Sequence, residues 1–238
     1  MKTTFRLILV TICIAFLSCQ KDENLTISKS SITNGGVLNG KIVNYVINSI
    51  DSVKAWNNFF VGTGKVASTG DFSIGLTVPI LLKLGTLSGV TISDSTAMTG
   101  TVSIFSFLNF YNNGVLSKCN YTADSLNKAG ISNSVFIYSD RVVRINGTHT
   151  ETFTLDNNTQ TSNYNVYYNV MIKKGWNELV YKVISNIQTT NSETISGSLT
   201  NTITDDLQWH FFNIGYSYVH KELTGKSQQK TEKLFLIR

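Results

Sequence analysis

Apolar positions along the chain fall into two patterns. One predominantly apolar run, residues 7–17, interrupted only by Thr11, follows Lys2 and Arg6, and it is shorter than the roughly 20 apolar residues that span a bilayer. From about Asn39 onward the apolar residues come instead in short runs rich in β-branched and aromatic side chains, split by Gly, Asn and Asp. That is the signature of strands and turns. Residues 43–46, 52–56, 64–67 and 72–76 open the series. A long strand over 102–111 follows, and Asn113-Gly114 is expected to turn the chain back through 115–121. Further strands are read at 135–138, 142–145, 151–155, 164–172, 176–184, 195–203, 207–214 and 234–237. Over 164–172 the alternation Tyr164, Val166, Tyr168, Val170, Ile172 sends one apolar row inward and turns Tyr167 and Met171 to the other face. Strands 164–172 and 176–184 are expected to face each other across Lys173-Lys174-Gly175, with Gly175 supplying a positive φ. A turn or two of helix fits only at 124–129 and at 79–84. The pattern predicts an all-β protein of β-sandwich type with very little helix.

Composition supports a folded chain. Of 238 residues, 42% are hydrophobic, 15% are charged and one is proline, which excludes disorder, collagen and a charge-rich coiled coil. The formal net charge is +5. Without residues 1–18, which contain Lys2 and Arg6 and no acids, 18 basic residues face 15 acidic ones and the net charge is +3. Lys221, Lys226, Lys230 and Lys233 are interrupted by Glu222 and Glu232. No continuous phosphate-binding stripe results, and nucleic acid is not expected as a partner.

The N-terminal segment reads as a targeting device, a basic n-region followed by an apolar h-region. Phe16-Leu17-Ser18-Cys19 resembles the bacterial lipobox. The resemblance implies cleavage before Cys19, acylation of its thiol and amine, and a membrane partner engaged through the acyl chains. Gln20, Lys21, Asp22 and Glu23, directly after the cysteine, resemble the export signal of Bacteroidota surface lipoproteins. The implied location is the outer membrane at the cell surface, with the periplasmic face as the alternative. The expected organisation is a signal peptide over 1–18 and a flexible tether over 19–38 carrying the export signal.

Two domains are expected after the tether. Gly40-Lys41-Ile42, Asp51-Ser52-Val53-Lys54-Ala55 and Ser68-Thr69-Gly70-Asp71-Phe72-Ser73-Ile74 resemble the transthyretin-like module of the carboxypeptidase regulatory-like family. The resemblance implies a β-sandwich over 39–98, with Gly70 in a tight turn and Phe72 in the core, non-enzymatic in most settings. The usual glycine before the second strand is missing, and Pro79-Ile80-Leu81-Leu82-Lys83-Leu84 stands where a closing strand is usual. Residues 99–238 are expected to form a second, antiparallel β-sandwich. Within it, Lys173-Lys174-Gly175-Trp176-Asn177 resembles a turn met in Bacteroidota lipoproteins and is silent on function.

Motifs for chemistry are sparse. Gly62-Thr63-Gly64-Lys65 and Gly225-Lys226-Ser227 lack the first glycine of a phosphate loop. His149, His210 and His220 have no metal-ligand spacing, and Asp205-Asp206 reads as a turn. No metal or cofactor is expected. No Gly-x-Ser-x-Gly elbow is present, and Cys119 reads as a small, partly buried strand residue. Asp51-Ser52-Val53 and Asp124-Ser125-Leu126 are acid-hydroxyl-apolar triplets that resemble the type Bacteroidota O-glycosylate, and Asp94-Ser95-Thr96 resembles them with threonine in the third place. Trp56, Trp176 and Trp209 are the candidate ligand-binding residues, because an indole can stack on the apolar face of a sugar ring. Core packing is the competing reading, and the favoured one for Trp176 and Trp209. The functional expectation is a lipid-anchored surface binding or adhesion module without catalytic activity, with a glycan or a surface protein as partner. Glycan capture for a polysaccharide-uptake system is the alternative, and a hydrolase needs a pair of acids in a cleft.

Overall fold

The computed structural model of the chain describes residues 30–33, 35–47, 49–108, 112–121, 128–155 and 160–213. The expected export signal and Cys19, the helical stretch near 124 and the strand at 234–237 lie outside these residues. Among the described residues the fold is all strand, with no helix. The first half holds β1 (Val37–Lys41), β2 (Ser52–Asn57), β3 (Phe59–Lys65), β4 (Asp71–Gly75), β5 (Leu82–Lys83), β6 (Val90–Ile92) and β7 (Met98–Leu108). The second half holds β8 (Asn112–Cys119), β9 (Ser132–Ser139), β10 (Val143–Leu155), β11 (Gln160–Ile172), β12 (Gly175–Gln188), β13 (Ser192–Thr200) and β14 (Gln208–Asn213).

β1 and β4 form a small antiparallel sheet, and the other 12 strands share one large sheet ordered β3-β2-β7-β8-β9-β12-β13-β11-β10-β6, with β14 on β8 and β5 on β7. The expected boundary near residue 98 is bridged by backbone pairing: β2 and β5 pair with β7, and β6 pairs with β10. The small sheet lies close over β3. A Cβ on Gly62 or Gly64 would collide with the carbonyls of Gly75 and Ser73, so these two positions need glycine for the approach. Gly70 has φ +82° and Phe72 is buried, the placements expected for these two residues.

The large sheet is walled on both faces. Phe136 of β9 and Trp176 of β12 belong to a core beneath β1 and β4, whereas their neighbours Val135, Ile137 and Leu179 belong to a second core with Tyr168, Val170 and Ile145. Burial on both sides explains why residues 135–138 read as an unbroken apolar run rather than an alternation.

Several expectations are corrected. The large sheet is mixed, not antiparallel. β11 and β12 are joined across Lys173-Lys174 but do not pair, because β13 inserts between them, parallel to β11 and antiparallel to β12. Gly175 does take a positive φ, +92°, and the Asn177 side chain ties the turn by bonding Lys173 N, Lys173 O and Gly175 O. Asn113-Gly114 lies inside β8, opposite Phe107 and Ser106, so the reversal falls before it. Gly114 is instead where β14 packs closely, since a Cβ there would collide with the Phe211 ring and Phe212 O. Residues 43–46 form a turn rather than a strand, because the Asn44 side chain substitutes for a backbone rung, donating to Phe211 O and accepting from Phe211 N. Leu82 and Lys83 are strand, not helix.

The tether expected over 19–38 ends earlier than residue 38. Ile32 and Leu38 are buried and bridge each other, and Ser30 and Ser31 are clasped by Glu178 of β12. That carboxylate, fully buried, accepts from Ser31 N at 2.7 Å, Ser31 Oγ at 2.9 Å and Ser30 Oγ at 3.2 Å. Lys118 Nζ at 2.8 Å and Ser134 Oγ at 2.6 Å complete its shell. A buried charge tolerates this position only because its partner and hydrogen bonds are all supplied.

Candidate binding site

Strand alternation divides the three candidate tryptophans. Trp176 is 5% exposed and meets Tyr138 edge-on at 5.7 Å between ring centroids. Trp209 is 4% exposed, stacked on Phe136 at 5.6 Å and edge-on to Phe72 at 5.1 Å. Neither indole presents a face to solvent. Trp56 is 44% exposed, since it sits opposite in phase to Val53 and Ala55, the β2 residues turned into the core.

Trp56 is not alone. β2 and β3 form a hairpin whose tip is Asn57-Asn58-Phe59, with Asn58 at φ +50°, a conformation that asparagine accepts more readily than most residues. Across it Trp56 is the register partner of Phe60, and Phe59 and Phe60 are 62% and 54% exposed. The Asn57 amide donates to Thr101 O of β7, which fixes the tip against the sheet. The segment carrying exposed Val78, Ile80 and Leu82 adjoins the tip at Gly100, where a Cβ would meet both Ile80 O and Asn57 Nδ2. Trp56 and Phe60 thus share one face of the hairpin with Phe59 at its tip, and exposed apolar side chains gathered on one element are the kind of surface that marks interaction sites. Phe59 and Phe60 were not singled out from sequence. Their signal was the run Trp56-Asn57-Asn58-Phe59-Phe60, aromatics on both sides of a two-asparagine turn.

A second feature is a depression of about 460 Å³ where β8, β9 and β14 meet, lined by Asn120, Tyr121, Lys128, Asp206, Gln208 and His210 among others. Asn120 is already committed: it donates to Asp206 Oδ2 and Gly130 O and accepts from Ser132 N. Hydrogen bonds from Thr204 and then Asn120 hold the Asp206 carboxyl below its ordinary value. Burial pushes the Tyr121 phenol up to about 12 and lowers His210. The expected turn at Asp205-Asp206 is present.

The Cys119 thiol is fully buried and its pKa is raised by that burial, which disfavours the thiolate. The Asp94 carboxylate, at the head of one of the three triplets, lies in a surface cluster: it accepts from Thr96 and pairs with Arg141, which also pairs with Asp140. Among the described residues no group of His, Cys, Asp and Glu is placed to hold a metal ion, and no helix is long and apolar enough to cross a membrane. No family model, curated protein or solved structure matches the chain.

Proposed function

We propose that the chain is a lipid-anchored binding protein of the bacterial cell surface, tethered through Cys19 and engaging its ligand without catalysis through the aromatic tip of the β2–β3 hairpin. The observation that carries this reading is the exposure of Trp56, Phe59 and Phe60 together on a braced hairpin. Exposed aromatics cost solubility, and flat rings supply large contact area at little cost in conformational entropy. Gln20, Lys21, Asp22 and Glu23 serve as the export signal on this reading. β1 to β4, divided between two stacked sheets, form the transthyretin-like unit that the motif of residues 39–78 implies, and the strands that follow supply the second layered region. A glycan is the second reading of the ligand, favoured by Trp56 and Phe60, whose rings are free to stack on a pyranose.

The test is a Trp56→Ala/Phe60→Ala variant, compared with the wild type on a glycan array and on immobilised surface proteins. We expect ligand retention to be lost and the melting temperature to stay within a few degrees of wild type. Trp176→Ala, a core truncation, should instead cost about 3–5 kcal/mol of stability. Undiminished retention by the double variant overturns the assignment of the hairpin.

A further inference from the structure

The outer face of β10, β11 and β13 has an unusual composition. Register pairs align the outward residues of these strands in five rows of three, from Thr154, Thr161 and Ser192 at one end to Asn146, Asn169 and Thr200 at the other. Fourteen of the fifteen positions are Ser, Thr or Asn and the remaining one is Tyr167. None is charged, although charged residues make up 15% of the chain and exposed strands ordinarily carry lysine and glutamate to stay soluble and unpaired. The opposite face of the same strands is core, with Tyr168, Val166 and Ile195 buried, so the polar residues are held on a fixed frame.

The two central rows are Thr152, Asn163, Thr194 and Thr150, Asn165, Ser196. In each, the β10 threonine donates its hydroxyl to the asparagine Oδ1, Thr152 to Asn163 at 2.8 Å and Thr150 to Asn165 at 2.9 Å. Each bond holds its amide through the oxygen and leaves the Nδ2 donor available. Neighbouring strands repeat about every 4.8 Å and alternate residues about every 6.7 Å, so the face is a periodic array of neutral donors and acceptors. Tyr167, 43% exposed in the adjacent row, adds a ring that can stack.

We propose that this face is a docking platform for an extended, neutral polysaccharide. A polymer of hydroxyls meets periodic hydroxyls and amides with matched hydrogen bonds and no charge to desolvate. The same rows continue onto β12 through Ile187, Ser185 and Lys182, but within the fifteen positions there is neither the central apolar or arginine-rich anchor that a protein partner calls for nor the lysine and arginine that an anionic membrane or nucleic acid calls for. The proposal extends the binding-protein reading but uses a surface separate from the aromatic hairpin, so variants can distinguish the two.

The full chain is passed over cellulose, chitin, a β-1,3-glucan, mannan and starch, with alginate as an anionic comparison. The expected result is retention on at least one neutral polysaccharide that persists in 1 M salt, as about expected where no ion pairs contribute. Thr152→Val/Thr194→Val, which keeps strand propensity while removing two hydroxyls, should weaken that retention at least tenfold with an unchanged melting temperature. Asn163→Ala serves as a second variant should the first be destabilised, with the same expected loss. Retention that these variants leave intact and Trp56→Ala abolishes overturns the platform while the hairpin reading stands. Absence of retention on every neutral polysaccharide also overturns it, leaving the hairpin to be judged on surface proteins.

Discussion

At the residue scale, the side of the strand decides what an aromatic does. Trp176 and Trp209 occupy the inward phase and are closed in by other rings, whereas Trp56 occupies the outward phase of β2. A tryptophan suits either phase; the sequence favours the core for Trp176 and Trp209, and the buried neighbours of those two and the exposure of Trp56 bear that division out. His210 shows the same control by surroundings. Burial lowers its pKa from the ordinary value of 6.5, so below pH 6.5 the unfolded chain takes up a proton that the folded chain refuses. Stability is therefore complete above that pH and declines as the pH falls toward the folded pKa. Melting temperatures measured from pH 7.5 down to 5.5 should fall less steeply for His210→Gln than for wild type. Parallel slopes would show that the histidine is equally protonated in both states.

At the scale of elements, the long strands are legible, the short ones β1, β5 and β6 are not, and the pairing partners are not. Alternation in residues 164–172 gives β11 its inward row directly, and the unbroken run at 135–138 marks a strand buried on both faces. Pairing is another matter, because any strand of the right face and length can satisfy a neighbour's backbone. A two-residue connection between β11 and β12 suggested a hairpin, yet β13 competes successfully for the space between them by pairing with both. Asn113-Gly114 misled for a related reason: glycine served a close approach to β14 rather than a turn. The docking of residues 30–38 was illegible, since it depends on Glu178, 147 positions from Ser31. Glu178→Ala should strand Lys118 in the interior and cost about 3–5 kcal/mol, with faster amide exchange at Ser31 and Asn39 as the segment loosens. Glu178→Gln keeps the acceptor geometry and should lose less. Wild-type unfolding and exchange in the alanine variant would contradict the clasp.

At the scale of the whole molecule, one large sheet carries three apolar clusters among the described residues, two large and one small, together with two surfaces of contrasting chemistry, an aromatic hairpin tip and a neutral polar array. On the anchored reading, the chain from Cys19 to the clasp at Ser30 reaches at most about 40 Å even when fully extended, so the clasp stays within that distance of the membrane that holds the lipid. Such an arrangement suits capture of a ligand just outside the cell and depends on the protein facing outward. Protease added to intact cells tests this most directly, comparing wild type with a Lys21→Ala/Asp22→Ala/Glu23→Ala variant. The wild type is expected to be digested while the variant, still acylated at Cys19, is protected; equal digestion of the two would overturn display through this signal.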